Sequence, residues 1–186
     1  MADTNNVTSA KPMVGGAIYS GALGTELPTD ATTKLNAAFK ALGYVSEDGL
    51  TNENTPSSET LKAWGGDVVN TVQTEKSDTF TYKLIEALNV DVLKEVYGTE
   101  NVSGDLTTGI TVSANSKELP EHSIVVEMVL KNKTLKRIVL PRAKVIEVGE
   151  IKYADGENVG YEITVQAFPD AKENTHYEYI KKTQSE

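Results

Sequence analysis

The sequence predicts a mainly β fold, a β-sandwich or half-barrel of antiparallel strands carrying one flanking α-helix and extended arms. Short runs rich in β-branched and aromatic residues recur through the second half, separated by turn residues. In two of them, around Phe80 and around Ile163, apolar and polar residues alternate strictly. Only two stretches carry a helical period. A length of 186 residues suits one domain with a hydrophobic core. The expected organisation is an N-terminal arm over 1–14, one domain over 15–169 and a C-terminal arm over 170–186.

Residues 1–14 are short of apolar side chains and read as a flexible arm. The glycine-rich run from Gly15 to Gly24 lacks the Lys-Ser/Thr of a phosphate loop and the spacing of a dinucleotide fingerprint. It predicts a short strand with glycine bends. Leu35, Ala38, Phe39 and Leu42 recur at helical spacing, with Asp30 as N-cap and Gly43 as stop. They predict a short helix or helical loop over 30–42. Residues 46–60, SEDGLTNENTPSSET, have almost nothing to bury and read as a long loop, of the kind that is functional or disordered. A calcium loop counted from Asp48 would need ligands at Leu50, Asn52 and Asn54 and a closing acid at Glu59. Leu50 cannot ligate and Gly49 is misplaced, so Asp48-Gly49 reads as a turn.

Residues 67–75 and 78–84 predict two strands joined by a Lys76-Ser77 turn, with Phe80, Tyr82 and Leu84 on one face and Thr79, Thr81 and Lys83 on the other. Leu88, Val92 and Val96, with Leu93 and Tyr97 beside them, predict an amphipathic helix over 88–97 that Gly98 stops. Strands follow at 110–114, 122–130, 134–140, 144–153 and 161–168, with turns at Lys131-Asn132, Pro141 and Asp155-Gly156. In the last strand Tyr161, Ile163, Val165 and Ala167 face a core, and Glu162, Thr164 and Gln166 face water. Tyr177, Tyr179 and Ile180 form an alternating segment expected to dock, with a neighbouring subunit as the candidate surface.

The chain has no Cys, which excludes disulfides, thiolate metal sites and a thiol nucleophile. With 27 acids against 18 bases its net charge is −9, unsuited to gripping phosphates. No secretory signal or membrane-length apolar run is visible, so a soluble product made in a cytoplasm is expected. The sequons at Asn6, Asn101 and Asn132 carry no weight. His122 and His176 read as surface or edge-strand residues, since no compact ligand spacing accompanies them. Nothing in the motif search points to an enzyme or a cofactor. Trp64, the single tryptophan, reads as core, with an interface role as the alternative. Lys131, Lys133, Lys136, Arg137, Arg142 and Lys144 read as a nucleic-acid patch, a solvated face, or a basic face meeting the acidic face of a neighbouring subunit; the last suits the charge asymmetry best.

Four stretches taken together, LPTDATTKLNAAFKALGYVSEDGLTNEN, KAWGGDVVNTVQTEKSDTFTYKLIEALNVDVLKEVYG, EHSIVVEMVLKNKTLKRIVLPRAKVIEVGEI and GYEITVQAFPD with its tyrosine-containing tail, resemble the major tail (tail-tube) proteins of long-tailed, non-contractile bacteriophages. The resemblance runs from about Gly15 to Ile180. It implies a virion structural protein whose hexameric rings stack into a hollow tube, assembled in the host bacterial cytoplasm with tape-measure, tail-tip and terminator proteins. Double-stranded DNA would pass through without specific binding, and no membrane would be involved. In such a protein 46–60 becomes an assembly loop between rings. Expected interface residues are Asp48, Leu50, Asn52, Glu53, Trp64, Tyr177 and Tyr179. Expected lumen residues are Glu147, Glu150, Glu162, Thr164 and Gln166, for which the outer solvent face is the alternative. A surface adhesin or carbohydrate-binding sandwich is the rival reading.

Overall fold

A computed structural model describes residues 2–183. Its elements, in chain order, are β1 (Lys11–Pro12), β2 (Ile18–Ala22), β3 (Lys40–Ala41), β4 (Val45–Lys62), β5 (Val68–Leu84), α1 (Val90–Tyr97), β6 (Val102–Ser103), β7 (Thr111–Val112), β8 (His122–Leu130), β9 (Thr134–Val148), β10 (Tyr161–Phe168) and β11 (Tyr177–Lys182). Nine strands form one sheet in the order β3-β2-β8-β9-β10-β5-β4, with β1 added to β8 and β11 to β9; β6 and β7 form a separate ribbon. The pairings are antiparallel throughout. The mainly β class with one flanking helix therefore holds, with most strands in one continuous sheet.

The alternation read around Phe80 and Ile163 is realised. Phe80, Tyr82, Leu84, Ile163, Val165 and Ala167 are buried on one face, together with Ile124, Val126, Ile138 and Leu140. Helix α1 closes this core with Val92, Leu93 and Val96. It starts at Val90 and not at Leu88 because the Asn89 side chain accepts the Asp91 N–H at 3.0 Å, which leaves Leu88 outside and exposed. At its other end Gly98, at φ 93°, caps the helix with its N–H on the Lys94 carbonyl.

The opposite face carries a smaller cluster, Phe39, Val125 and Val139, flanked by Leu27, Leu35, Tyr19, Tyr177 and Tyr179. Beside it the cross-strand partners Glu127 and Arg137 form a buried ion pair. Arg137 Nε donates to Glu127 Oε1 at 2.9 Å, and Nη1 donates to the Asp30 carbonyl at 2.6 Å. This second face explains why no helix forms over 30–42. Asp30 does accept the Thr32 and Thr33 N–H groups, at 2.5 and 2.7 Å, as a cap would. The chain then runs as bends and turns, because its apolar residues serve two cores: Leu35 and Phe39 cover the second face while Leu42 enters the main core. Phe39 lies so close to Gly21 that a Cβ there would meet its ring at 2.8 Å.

Two predicted turns are absent. Lys76 and Ser77 lie inside β5, paired with Pro56 and Thr55. Pro141 lies inside β9, between Val139, which pairs with β11, and Arg142, which pairs with β10, so its missing N–H breaks no ladder. Its carbonyl accepts the Ser123 hydroxyl at 2.8 Å beside a bulge in the β8 pairing. Two strands are also shorter than expected: the predicted 110–114 contracts to Thr111–Val112, and the run through Tyr153 stops at Val148.

Removing one partner of a buried ion pair leaves the other charge without compensation. Glu127→Ala is expected to cost about 3 kcal/mol in urea unfolding, whereas replacing both Glu127 and Arg137 by Leu and Met should cost much less.

Candidate functional site

Residues 46–60 are not an irregular loop. They form most of β4, which pairs with β5 from Leu50↔Tyr82 to Lys62↔Val68. The pairing of β5 with β10 ends at Thr79↔Gln166, so beyond Asp78 the two strands continue as a free-standing hairpin. Thr51 to Ser77 are all exposed. Asp48-Gly49 does not reverse the chain. It lies in a bulge between the pairs Val45↔Leu84 and Leu50↔Tyr82, where Gly49 takes φ 73°. The reversal comes at the tip, where Ala63 N–H donates to the Asp67 carbonyl at 2.8 Å and Gly65 and Gly66 adopt φ 107° and 97°. Trp64 sits on that tip with a relative exposure of 105%, so the core reading fails: a side chain at a projecting turn has nothing of its own subunit to pack on. Leu61, Val68, Val69 and Val72 are exposed along the same hairpin.

Where the hairpin leaves the sheet, the buried residue Asp78 joins four segments through its carboxylate and its backbone carbonyl. Asn52 Nδ2 on β4 donates to Oδ1 at 2.8 Å, and the Thr175 hydroxyl donates to Oδ2. His176 Nδ1 lies 2.6 Å from Oδ2, and Gln166 Nε2 on β10 donates to the Asp78 carbonyl at 3.1 Å. The His176 ring meets Phe80 edge-on, with centroids 5.4 Å apart. His176 is thus a docking residue with its side chain mostly buried, not a surface histidine. Sequence reasoning passed over Asp78 because it looked like the first residue of a strand after a turn. Its place on the Phe80-Tyr82-Leu84 face was the available signal.

The strand registers also gather a polar face. Glu147, Thr164, Thr81 and Thr51 align across β9, β10, β5 and β4, and Lys144, Gln166, Thr79 and Glu53 form the next row. Glu162 lies opposite Lys83. The Thr81 and Thr164 hydroxyls are 3.1 Å apart. The residues expected in a lumen therefore share one face, except Glu150, which follows the end of β9 and is exposed. Glu53, expected at an interface, joins this face. Leu50 and Asn52 point the other way, Leu50 against the main core. Asp48 stays exposed in the bulge, where its carboxylate accepts the Ser46 hydroxyl at 3.2 Å.

Tyr177 and Tyr179 lie apart from the hairpin tip. Their rings stack at 6.3 Å on the second face, and the Tyr177 hydroxyl donates to Asp170 Oδ2 at 2.7 Å. That bond raises the Tyr177 pKa and lowers that of Asp170. The C-terminal strand so docks on its own subunit, along β9. The basic cluster is largely neutralised within the chain. Lys136 pairs with Glu178 at 2.7 Å, Arg142 with Glu121 at 2.9 Å, Lys144 with Glu118 at 2.7 Å, and Arg137 with Glu127. Four of the six cations are thereby committed, which removes most of a free basic face.

His122 is likewise mostly buried, with Nε2 2.8 Å from Glu95 Oε1 on α1. Burial pulls its pKa down, but the contact with Glu95 and the Pro120 carbonyl outweigh this and leave it raised. The buried Tyr82 hydroxyl has no partner among the described residues, and burial followed by the Glu95 charge raises its pKa well above the ordinary value. Among the described residues no cluster of three or more acids or histidines fits a metal ion, and no helix is long and apolar enough to cross a membrane.

Two outcomes follow from these contacts. Asp78→Ala strands three polar side chains and should cost about 3 kcal/mol or more in urea unfolding, with faster amide exchange in β11; Asp78→Asn should not rescue it, since its amide faces donors. Because His122 is raised in the folded state, the stability it adds is full below the unfolded pKa near 6.5 and is lost as pH rises through the folded value. His122→Gln should flatten that decline in a pH series of thermal melts.

A search of curated proteins finds no match to this chain. A family model described as phage tail tube protein matches residues 2–186. That match spans the hairpin, the sheet and the docked C-terminal strand together, and the chain belongs to the phage tail tube protein family.

Proposed function

We propose that this chain is the repeating subunit of a phage tail tube, forming hexameric rings that stack into the hollow conduit of a long, non-contractile tail. The observation that carries this reading is the free-standing hairpin. A two-stranded ribbon is marginal in water by itself, and this one exposes Leu61, Trp64, Val68, Val69 and Val72. Both needs are met when another copy covers it. Strand β4 is also the last strand of the sheet, so its outer edge offers unpaired backbone groups to a neighbour.

In this reading the polar face bearing Glu53, Glu147, Glu162, Thr164 and Gln166, with Glu150 near it, lines the lumen, and the net charge of −9 lets DNA slide without being held. Asp48, Leu50, Asn52, Trp64, Tyr177 and Tyr179 act at or behind subunit contacts. Tape-measure, tail-tip and terminator proteins are the expected partners, and the virion tail is the expected location. The role is structural and no catalytic step is assigned. Family membership favours this over a surface adhesin or carbohydrate-binding module.

Replacing residues 58–74 by a two-residue Asn-Gly turn, closed on the Ser57↔Glu75 pair, removes the distal hairpin while leaving the Asp78 contacts in place. The variant should stay folded by circular dichroism and lose tubes in negative-stain electron microscopy. Unchanged tube length and yield would sink the proposal.

A further inference from the structure

A cavity of about 680 Å³ lies between residues 10–18 and the bulged start of β4, with β8 behind it. Met13, Ala17, Leu50 and Met128 give it an apolar lining. Gly15, Gly16 and Gly49 leave other parts of the wall as backbone without side chains, all three at positive φ, while over Gly43 the wall is the Glu86 carboxylate, already held by the Tyr44 N–H and the Asn89 amide. Lys11 and Glu47 stand exposed on its rim.

The hairpin tip has the complementary character. Trp64 projects fully into solvent, Leu61 and Val68 flank it, and Lys62 and Asp67 supply one charge of each sign. An apolar plug with a cation and an anion beside it matches an apolar socket with an anion and a cation on its rim. The tip cannot reach the cavity of its own chain. Leu50 lines the cavity, and the paired strand from Leu50 to Lys62 carries the tip roughly 40 Å away at about 3.3 Å per residue.

We propose that this cavity is the socket for the hairpin tip of a second copy of the chain, with Trp64 as the central anchor. The inference rests on the assembly role proposed for the hairpin and adds where the tip goes. Plug and socket are different surfaces of one chain, so the contact is heterologous and repeats from copy to copy without closing on a dimer. Tryptophan suits the anchor position because it buries a large rigid area in one side chain.

The chain has one Trp and no Cys, which makes the test direct. On assembly, Trp64 fluorescence should shift to shorter wavelength and become shielded from acrylamide. Trp64→Ala alters an exposed side chain, so it should leave the monomer folded and raise the concentration needed for assembly about thirtyfold, the size of a hot-spot anchor. Ala63→Cys combined with Val14→Cys, at the exposed tip and the exposed cavity wall, should give a ladder of covalent multimers on oxidation of assembled material. Either single variant should give none beyond a dimer. Tubes in which Trp64 stays exposed, or is shielded without a ladder, overturn the socket and leave the hairpin's role standing. Tubes indifferent to replacement of residues 58–74, or a chain that never self-associates, overturn the assembly reading and this inference with it.

Discussion

The structure depends on one buried carboxylate at the junction between a folded sheet and a projecting ribbon. Asp78 has no exposed surface, yet it ends the row of Phe80, Tyr82 and Leu84 on the core face. A carboxyl group there is tolerable only when its oxygens are satisfied, and Asn52 from β4 with Thr175 and His176 from the C-terminal segment do this. The base of the hairpin and the docking of the C-terminal strand are therefore set by the same residue. A hairpin anchored in this way leaves the sheet in a defined direction, which a subunit needs if its tip is to meet a neighbour.

Beyond that junction the chain reverses the usual arrangement of a soluble domain. The sheet buries apolar residues on both faces, with α1 closing one and the segment through Leu27, Leu35 and Phe39 covering the other. The hairpin buries nothing within its own subunit, while its tip carries apolar side chains into solvent. Backbone pairing gives it shape, while its side chains stay exposed on the subunit. The same division appears in the charges. Arginines and lysines of β9 are bound to Glu118, Glu121, Glu127 and Glu178 inside the subunit, so the acidic excess remains for the surface.

The sequence by itself determined the β class, the alternating strand around Ile163, the Phe80-Tyr82-Leu84 face, helix α1 and its glycine stop. Each of these depends on burial against a single core, and such burial writes a period into neighbouring residues. The family was legible as well, through the succession of segments rather than any short motif. The Gly65-Gly66 turn before the Val68 run could have revealed the hairpin, but its partner strand, SEDGLTNENTPSSET, packs only Leu50 against the core and so carries no hydrophobic period.

Tertiary structure alone decided the rest. Leu35, Ala38, Phe39 and Leu42 have helical spacing, yet they serve two different cores, and no local pattern records that division. Pro141 sits within a strand because β11 and β10 take over from one another beside it, a fact about neighbours far away in sequence. His122 and His176 found Glu95 and Asp78, partners that no local spacing could indicate. Sequence fixes what a segment does when its partner is itself or water; where the partner is a distant strand, only the fold can name it.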